Sequence, residues 1–282
     1  MIGRLLTQLL DAQAGWARPF GDAVHDALHG LFHRLPPVRD FLNGRWLGHP
    51  LHALLTDVPI GVLTLVILLD VLGQSVAADV ALTFGVLTLL AAALAGLADY
   101  SDTDGGARVR ATVHGTLMTV ALVLYVLSLA LRAAGGERAV SIAVSIVAYL
   151  VLAAGAYVGG DVVYLLGNMV DRHAWRPAGA KWATLEVGDL PEDRPVKAKS
   201  GLQNLVLVRH GERIQALHEQ CAHAGGPLSQ GTLIDGCLEC PWHGSRFRLA
   251  DGRAVRGPSV YDQPAYEVRT AEAGGYEARR IP

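Results

Sequence analysis

Two short stretches near the C-terminal end carry the densest chemistry in the chain. One, Cys221-Ala-His223-Ala-Gly-Gly-Pro-Leu, and the other, Cys240-Pro-Trp-His243-Gly-Ser245-Arg-Phe247, each supply one thiol and one imidazole. Thiolates are soft ligands and imidazoles suit zinc or iron, so these four side chains can hold a metal or a small cluster. Two chemistries compete for them. Zinc accepts two Cys and two His, but in fingers the cysteines come as one pair and the histidines as another. Here each loop gives one of each, as Cys-x-His and Cys-x-x-His, which suits a pair of irons with both thiolates on one and both imidazoles on the other. The remaining cysteine, Cys237, reads as a small core residue and not as a ligand. Three cysteines within twenty residues are too few and too local for a secreted disulfide framework, and they point to a reducing compartment or to metal ligation.

Over residues 181–282 the sequence resembles the Rieske family, in CAHAGGPL, in CPWHGSRF and in the later turn Gly257-Pro258-Ser259. The resemblance implies a [2Fe-2S] cluster. Cys221 and Cys240 would hold the buried iron, while His223 and His243 would hold the outer one, with their far ring nitrogens near solvent as the exit for electrons. Gly225, Gly226 and Gly244 would let backbone approach the sulfides closely, and amide donors aimed at sulfur raise the potential. The chain departs from the quinol-oxidising members of the family in two ways. Gly226 and Trp242 stand where those members carry two further cysteines joined as a disulfide. Ser245 keeps a hydroxyl that donates to a bridging sulfide, but Phe247 replaces a tyrosine that donates to a ligand thiolate. The loops therefore look more like those of Rieske-type ferredoxins, with a lower expected potential.

These loops sit in sequence of period two with Gly punctuation, LVLVR, RIQALH, YEVRT and YEARRI, which predicts a small antiparallel β domain over residues 181–282. What precedes it is different. Four apolar runs, Leu51–Gly73, Val76–Ala98, Val113–Leu131 and Ala139–Leu166, are long enough to cross a hydrocarbon core of about 30 Å. Short links make sequential helices antiparallel. The averages of 51% apolar and 18% charged residues thus mix a membrane block with an ordinary domain. The fold class expected is α+β, a four-transmembrane-helix bundle followed by a small all-β domain. Its divisions are amphipathic helices over 1–48 lying on the membrane surface, the bundle over 49–173, and a linker over 174–180. The first helices are expected to break near Arg18-Pro19 and to end at Pro36-Pro37. Their His25, His29 and His33 fall on one helix face, read as solvated. The N-terminus predicts no cleaved signal peptide.

Lys and Arg near the helix ends set the orientation. Arg34, Arg39, Arg45, Arg108, Arg110, Arg172, Arg176 and Lys181 lie on one side, and Arg132 and Arg138 on the other. That asymmetry predicts a bacterial cytoplasmic membrane with both termini and the β domain in the cytoplasm. Antiparallel helices then put His49, His52, His114 and His173, with Asp57, Asp99 and Asp102, in one layer at the cytoplasmic boundary. HPLHALLTDVPIG, LADYSDT and VHGTL resemble a bacterial four-helix membrane family without a described activity, over most of residues 40–172. Ionisable groups at such depth are functional candidates. His52 and His114 are the best pair for a b-type haem; a non-haem metal site or a metal-free polar cap are the alternatives. The partners expected are a redox protein or a quinone, and membrane lipid; the net charge of −2 points to no partner, and with no basic run, helix-turn-helix pattern or aromatic-plus-Arg platform, nucleic acid is not expected. A membrane-anchored electron carrier is the leading function, with a quinone-linked oxidoreductase or a membrane redox or metal sensor as alternatives. The oligomeric state is left open.

Overall fold

The computed structural model describes residues 2–174, 181–272 and 274–281. They form two compact units, one of Met1–Leu42 with Pro50–Asn168 and one of Asn43–His49 with Met169–Pro282.

The first unit is helical: α1 (Ile2–Asp11), α2 (Ala14–Arg34), α3 (Pro36–Leu42), α4 (Leu51–Val71), α5 (Ser75–Tyr100), α6 (Gly105–Ala133) and α7 (Arg138–Gly160), which runs on through Leu165 in a widened π turn. The last four are long and apolar enough to cross a membrane. Their outward positions, such as Leu68, Val80, Phe84 and Leu150, are exposed leucines, valines and aromatics, as expected where lipid replaces water. Inside, Leu63, Leu82, Tyr125 and Leu152 interlock. Small residues let the helices approach: a Cβ on Gly85 would lie 2.7 Å from Leu63 Cδ2.

The N-terminal helices differ from the expectation. Helix α2 runs unbroken through Pro19, and the break falls instead at residues 12–13. Pro19 sits near the start of the helix and removes a single hydrogen bond. Pro36-Pro37 opens α3, because proline suits a first helical turn. Nor is the segment a separate layer. Ala17 packs with Val109, Val113 and Val158, a Cβ on Gly21 would lie 2.3 Å from Thr112 Oγ1, and Asp22 and Asp11 pair with Arg108 and Arg110 at 2.8 and 2.9 Å. The expected solvated stripe also turns partly inward: His29 Nδ1 faces the Ser101 carbonyl at 3.3 Å, with His25 stacked on it.

The second unit is β-rich. Strands β1 (Ala183–Glu186), β2 (Val196–Ser200), β3 (Gln203–His210), β4 (Arg213–His218), β9 (Ala265–Thr270) and β10 (Tyr276–Arg280) close a barrel in the order β1-β10-β9-β4-β3-β2. A second sheet joins β5 (Thr232–Ile234), β6 (Cys237–Glu239), β7 (Arg246–Arg248) and β8 (Ala254–Arg256). Strand β3 is apolar on both faces for a physical reason: Leu205 and Leu207 point into the barrel core, and Val206 and Val208 into the core shared with the second sheet. Asn43–His49 and Met169–His173 belong to this unit, through Arg45 to the Ala254 carbonyl at 3.5 Å, Tyr261 to the Met169 carbonyl at 3.1 Å, and Arg172 N–H to the Ala222 carbonyl at 3.2 Å. The expected linker lies outside the described residues from 175 to 180, as does Arg176.

Candidate metal centres

The two Cys/His loops connect strands of the small sheet and its neighbours. The first follows β4 and the second joins β6 to β7. Both close in the same way. Cys221 N–H donates to the Gly226 carbonyl at 2.9 Å and Gly225 N–H returns to the Cys221 carbonyl at 2.9 Å; Cys240 N–H donates to the Ser245 carbonyl at 2.8 Å and Gly244 N–H returns to the Cys240 carbonyl at 3.1 Å. Gly225 and Gly244 occupy matching positions at φ of 88° and 76°, a conformation that costs glycine little and other residues more.

This closure aims amides at sulfur. The amides of His223 and Ala224 point to the Cys221 sulfur, and those of Trp242 and His243 to the Cys240 sulfur. The two buried thiols also face one another. The hydrogen bond from Cys221 draws the Cys240 thiol down, while the same contact, and then burial, push the Cys221 thiol well up. Such a pair resists holding two bare thiolates and is matched to a cation that would neutralise both. The imidazoles of His223 and His243 stand edge to face with ring centres 5.1 Å apart. A Cβ on Gly226 would lie 2.8 Å from Cys240 Sγ and 3.0 Å from the Trp242 ring, so only glycine fits there. Two thiolates, two imidazoles and inward amides fit a two-iron cluster with mixed ligands.

Around the loops, Ser245 Oγ is buried and accepts the Ser259 N–H at 3.0 Å. That contact leaves its own hydrogen available to donate. Phe247 is fully buried in the core beneath. His223 is buried, whereas His243 is half-buried and Trp242 exposed, so the second loop is the accessible one. Cys237 is not a core residue: it lies half-buried on β6, its thiol near the Asp235 carbonyl at 3.8 Å. Sequence reasoning missed Gln263, whose amide takes the Ala222 N–H at 2.9 Å and donates to the carbonyls of His218 and Gln220 at 2.7 Å each. No spacing marks it.

The expected membrane layer is only partly assembled. His52 on α4 and His114 on α6 come together, ring centres 6.2 Å apart and nearly perpendicular. Asp99 is buried at the end of α5, and Asp102 just beyond it is held by Arg39 of α3. Asp57 is exposed on α4. His49 and His173 belong to the β unit, where His173 Nε2 donates to the Gln220 carbonyl at 2.8 Å and its ring stands edge-on to His218 at 4.5 Å.

Comparison with known proteins bears on both units. Residues 181–267 match the family model described as the Rieske [2Fe-2S] domain, and residues 48–172 match the one described as a predicted membrane protein, DUF2231. The ferredoxin subunit of anthranilate 1,2-dioxygenase from Burkholderia cepacia is 29% identical over 98 residues, 35% of this chain and 85% of the relative. Ferredoxin CarAc of Metapseudomonas resinovorans is 32% identical over 78 residues, 28% of this chain and 73% of the relative. The chloroplastic protein TIC 55 of Pisum sativum is 38% identical over 73 residues, 26% of this chain but 13% of the relative's length.

Proposed function

The chain belongs to the Rieske [2Fe-2S] family through residues 181–267 and to the DUF2231 membrane family through residues 48–172, and from that premise we propose that it is a membrane-anchored one-electron carrier exchanging electrons with a redox partner protein. When bound, a [2Fe-2S] cluster supplies a one-electron couple. Cys221, His223, Cys240 and His243 are its ligands in this reading. What carries it is the pair of matched loop closures that turn four amides toward two facing thiols.

Each residue has a task. The amides after Cys221 and Cys240 hold negative charge on sulfur, Gly226 keeps the space beside Cys240 clear, and Ser245 offers a hydroxyl steered by Ser259. Phe247 has no hydroxyl to add, which supports a potential on the low, ferredoxin-like side. Electrons leave through His243, the accessible imidazole, and Trp242 beside it gives a partner an exposed aromatic surface to dock on. The relatives named as dioxygenase ferredoxins support a protein partner of the oxygenase class. The Arg and Lys bias supports the bacterial cytoplasmic membrane with this domain in the cytoplasm. A haem b on His52 and His114 would give the helical domain a redox centre of its own.

The full chain, purified in detergent and reduced, is expected to give the low average g signal of a mixed-ligand cluster, with two irons per chain, lost in Cys240→Ser. A silent sample carrying stoichiometric zinc would refute the cluster.

A further inference from the structure

Helices α4 and α6 bury the same positions. Pro59, Leu63 and Val66 on α4 are matched by Ala121, Tyr125 and Ser128 on α6, each sixty-two residues later. On α5 the buried Ala78, Leu82, Gly85, Leu89, Ala92 and Ala95 are matched sixty-three residues later by every buried residue of α7: Ser141, Ser145, Ala148, Leu152, Gly155 and Val158. The helix boundaries repeat as well, Val71 with Ala133 and Ser75 with Arg138. The hairpin α4–α5 therefore recurs as α6–α7, and equivalent helices run in the same direction. Such parallel repeats are related by an axis along the bundle.

The histidines obey the same relation. His52 Nδ1 meets the Ala92 carbonyl at 2.8 Å, and His114 Nδ1 meets the Gly155 carbonyl, its equivalent, at 2.8 Å. One turn further along, Gly96 and Gly159 make room for the two rings: a Cβ on either would lie 2.9 Å from the imidazole Cε1. A carbonyl only accepts, so each Nδ1 carries the proton and each Nε2 keeps its lone pair. Neither Nε2 has a hydrogen-bond donor among the described residues. Two lone pairs are thus presented by equivalent, anchored imidazoles whose centres are 6.2 Å apart. A carbonyl behind the ring is the usual means of fixing a ligating histidine.

The spacing bears on the angle at which one ion could be held. With metal–nitrogen bonds of about 2.0–2.1 Å, two imidazoles on one ion have ring centres roughly 5 Å apart at a tetrahedral angle and roughly 6.3 Å apart when trans. The cluster pair, at 5.1 Å, falls at the first value and the membrane pair, at 6.2 Å, at the second. We propose that the four-helix domain is two copies of one hairpin, and that His52 and His114 are the equivalent trans ligands of a single haem iron at the interface of the copies. This rests on the haem reading of the helical domain and on nothing in the cluster loops.

The test uses the full chain expressed with haem supply, with the optical spectrum, haem and metal content and the cluster's paramagnetic signal read on one sample. One haem per chain, sharp reduced bands, and their loss in both His52→Ala and His114→Ala while the cluster signal persists are expected. His114→Met guards against misfolding, since it should keep haem but move its bands. Equal weakening in Gly96→Ala and Gly159→Ala is expected from the repeat. A protein with its cluster but no haem, bands that survive both alanine variants, or zinc in place of haem would each overturn the proposal and leave the carrier function standing.

Discussion

The cluster loops and the helical hairpins both bring two imidazoles together by using one backbone device twice, but over very different lengths of chain. In the loops the device is a turn of six residues, closed by its own amides and repeated after nineteen, Cys221 to Cys240. In the helices it is a whole hairpin repeated after sixty-two, and each imidazole is positioned by a carbonyl forty or forty-one residues away and by a glycine one turn beyond it. A site closed by local hydrogen bonds has its geometry written into a short motif. A site closed by packing depends on every contact that sets the distance between helices, and its residues are scattered.

That contrast can be broken at several points. The largest effect is expected at Asp70, buried with Arg132 at 2.6 Å and touching Arg138 at 2.7 Å. Asp70→Asn leaves the buried Arg132 with the less buried Asp79 as its remaining carboxylate and should cost about 3–5 kcal/mol. Chemical unfolding followed by helical signal would measure it, and the cluster domain should melt unchanged. Next come the glycines. Gly226→Ala forces a methyl against Cys240 Sγ, and Gly159→Ala forces one against the His114 ring. Each should cost about 1–3 kcal/mol, the first weakening the cluster signal without touching the helices and the second disturbing the helices without touching the cluster signal. If either variant damaged both domains, the two sites would not be independently built. The smallest effect is expected from Ser245→Ala. Losing a hydrogen bond to a charged acceptor should lower the cluster potential by roughly 60–100 mV; an unchanged midpoint in a redox titration would remove Ser245 from the tuning.

Much of the β unit was legible in the sequence because its signals are local. Alternation gave strands, and Cys-x-His with Cys-x-x-His marked four side chains that the structure brings together, thiol facing thiol and imidazole beside imidazole. The exception is Cys237, expected in the core: β6 pairs at Ile234 and Arg248 and presents its thiol half-exposed. In the helical unit, length and hydropathy located four spans, yet could not place what lies on them. Asp57 was expected in one layer with Asp99 and Asp102; it is exposed where they are buried, a difference not readable from an apolar helix that offers no polar stripe to set its phase. His49 and His173 were grouped with the membrane histidines because they adjoin the spans in sequence; both fall in the β unit, where His173 bonds the Gln220 carbonyl and packs on His218. The N-terminal helices were read as interfacial from their large apolar residues, of which Leu9 and Leu31 are exposed, whereas the contact with α6 is made by Leu10 and the small Ala14 and Ala17, which carry no such signal. The repeat itself was within reach, since His52 with His114 and Asp70 with Arg132 share one spacing, but it is spread thinly through residues that otherwise differ.

The pairing of Asp70 with Arg132 joins equivalent positions of the two hairpins, and those positions carry opposite charges. Two copies of the first hairpin would set carboxylate against carboxylate there, and two copies of the second would set guanidinium against guanidinium. Each half is thus complementary to the other and repelled by itself. Cut between residues 104 and 105 and expressed as two polypeptides, the halves should find one another in a mixture and refuse to self-associate, which makes this domain a natural scaffold for split-protein complementation in membranes.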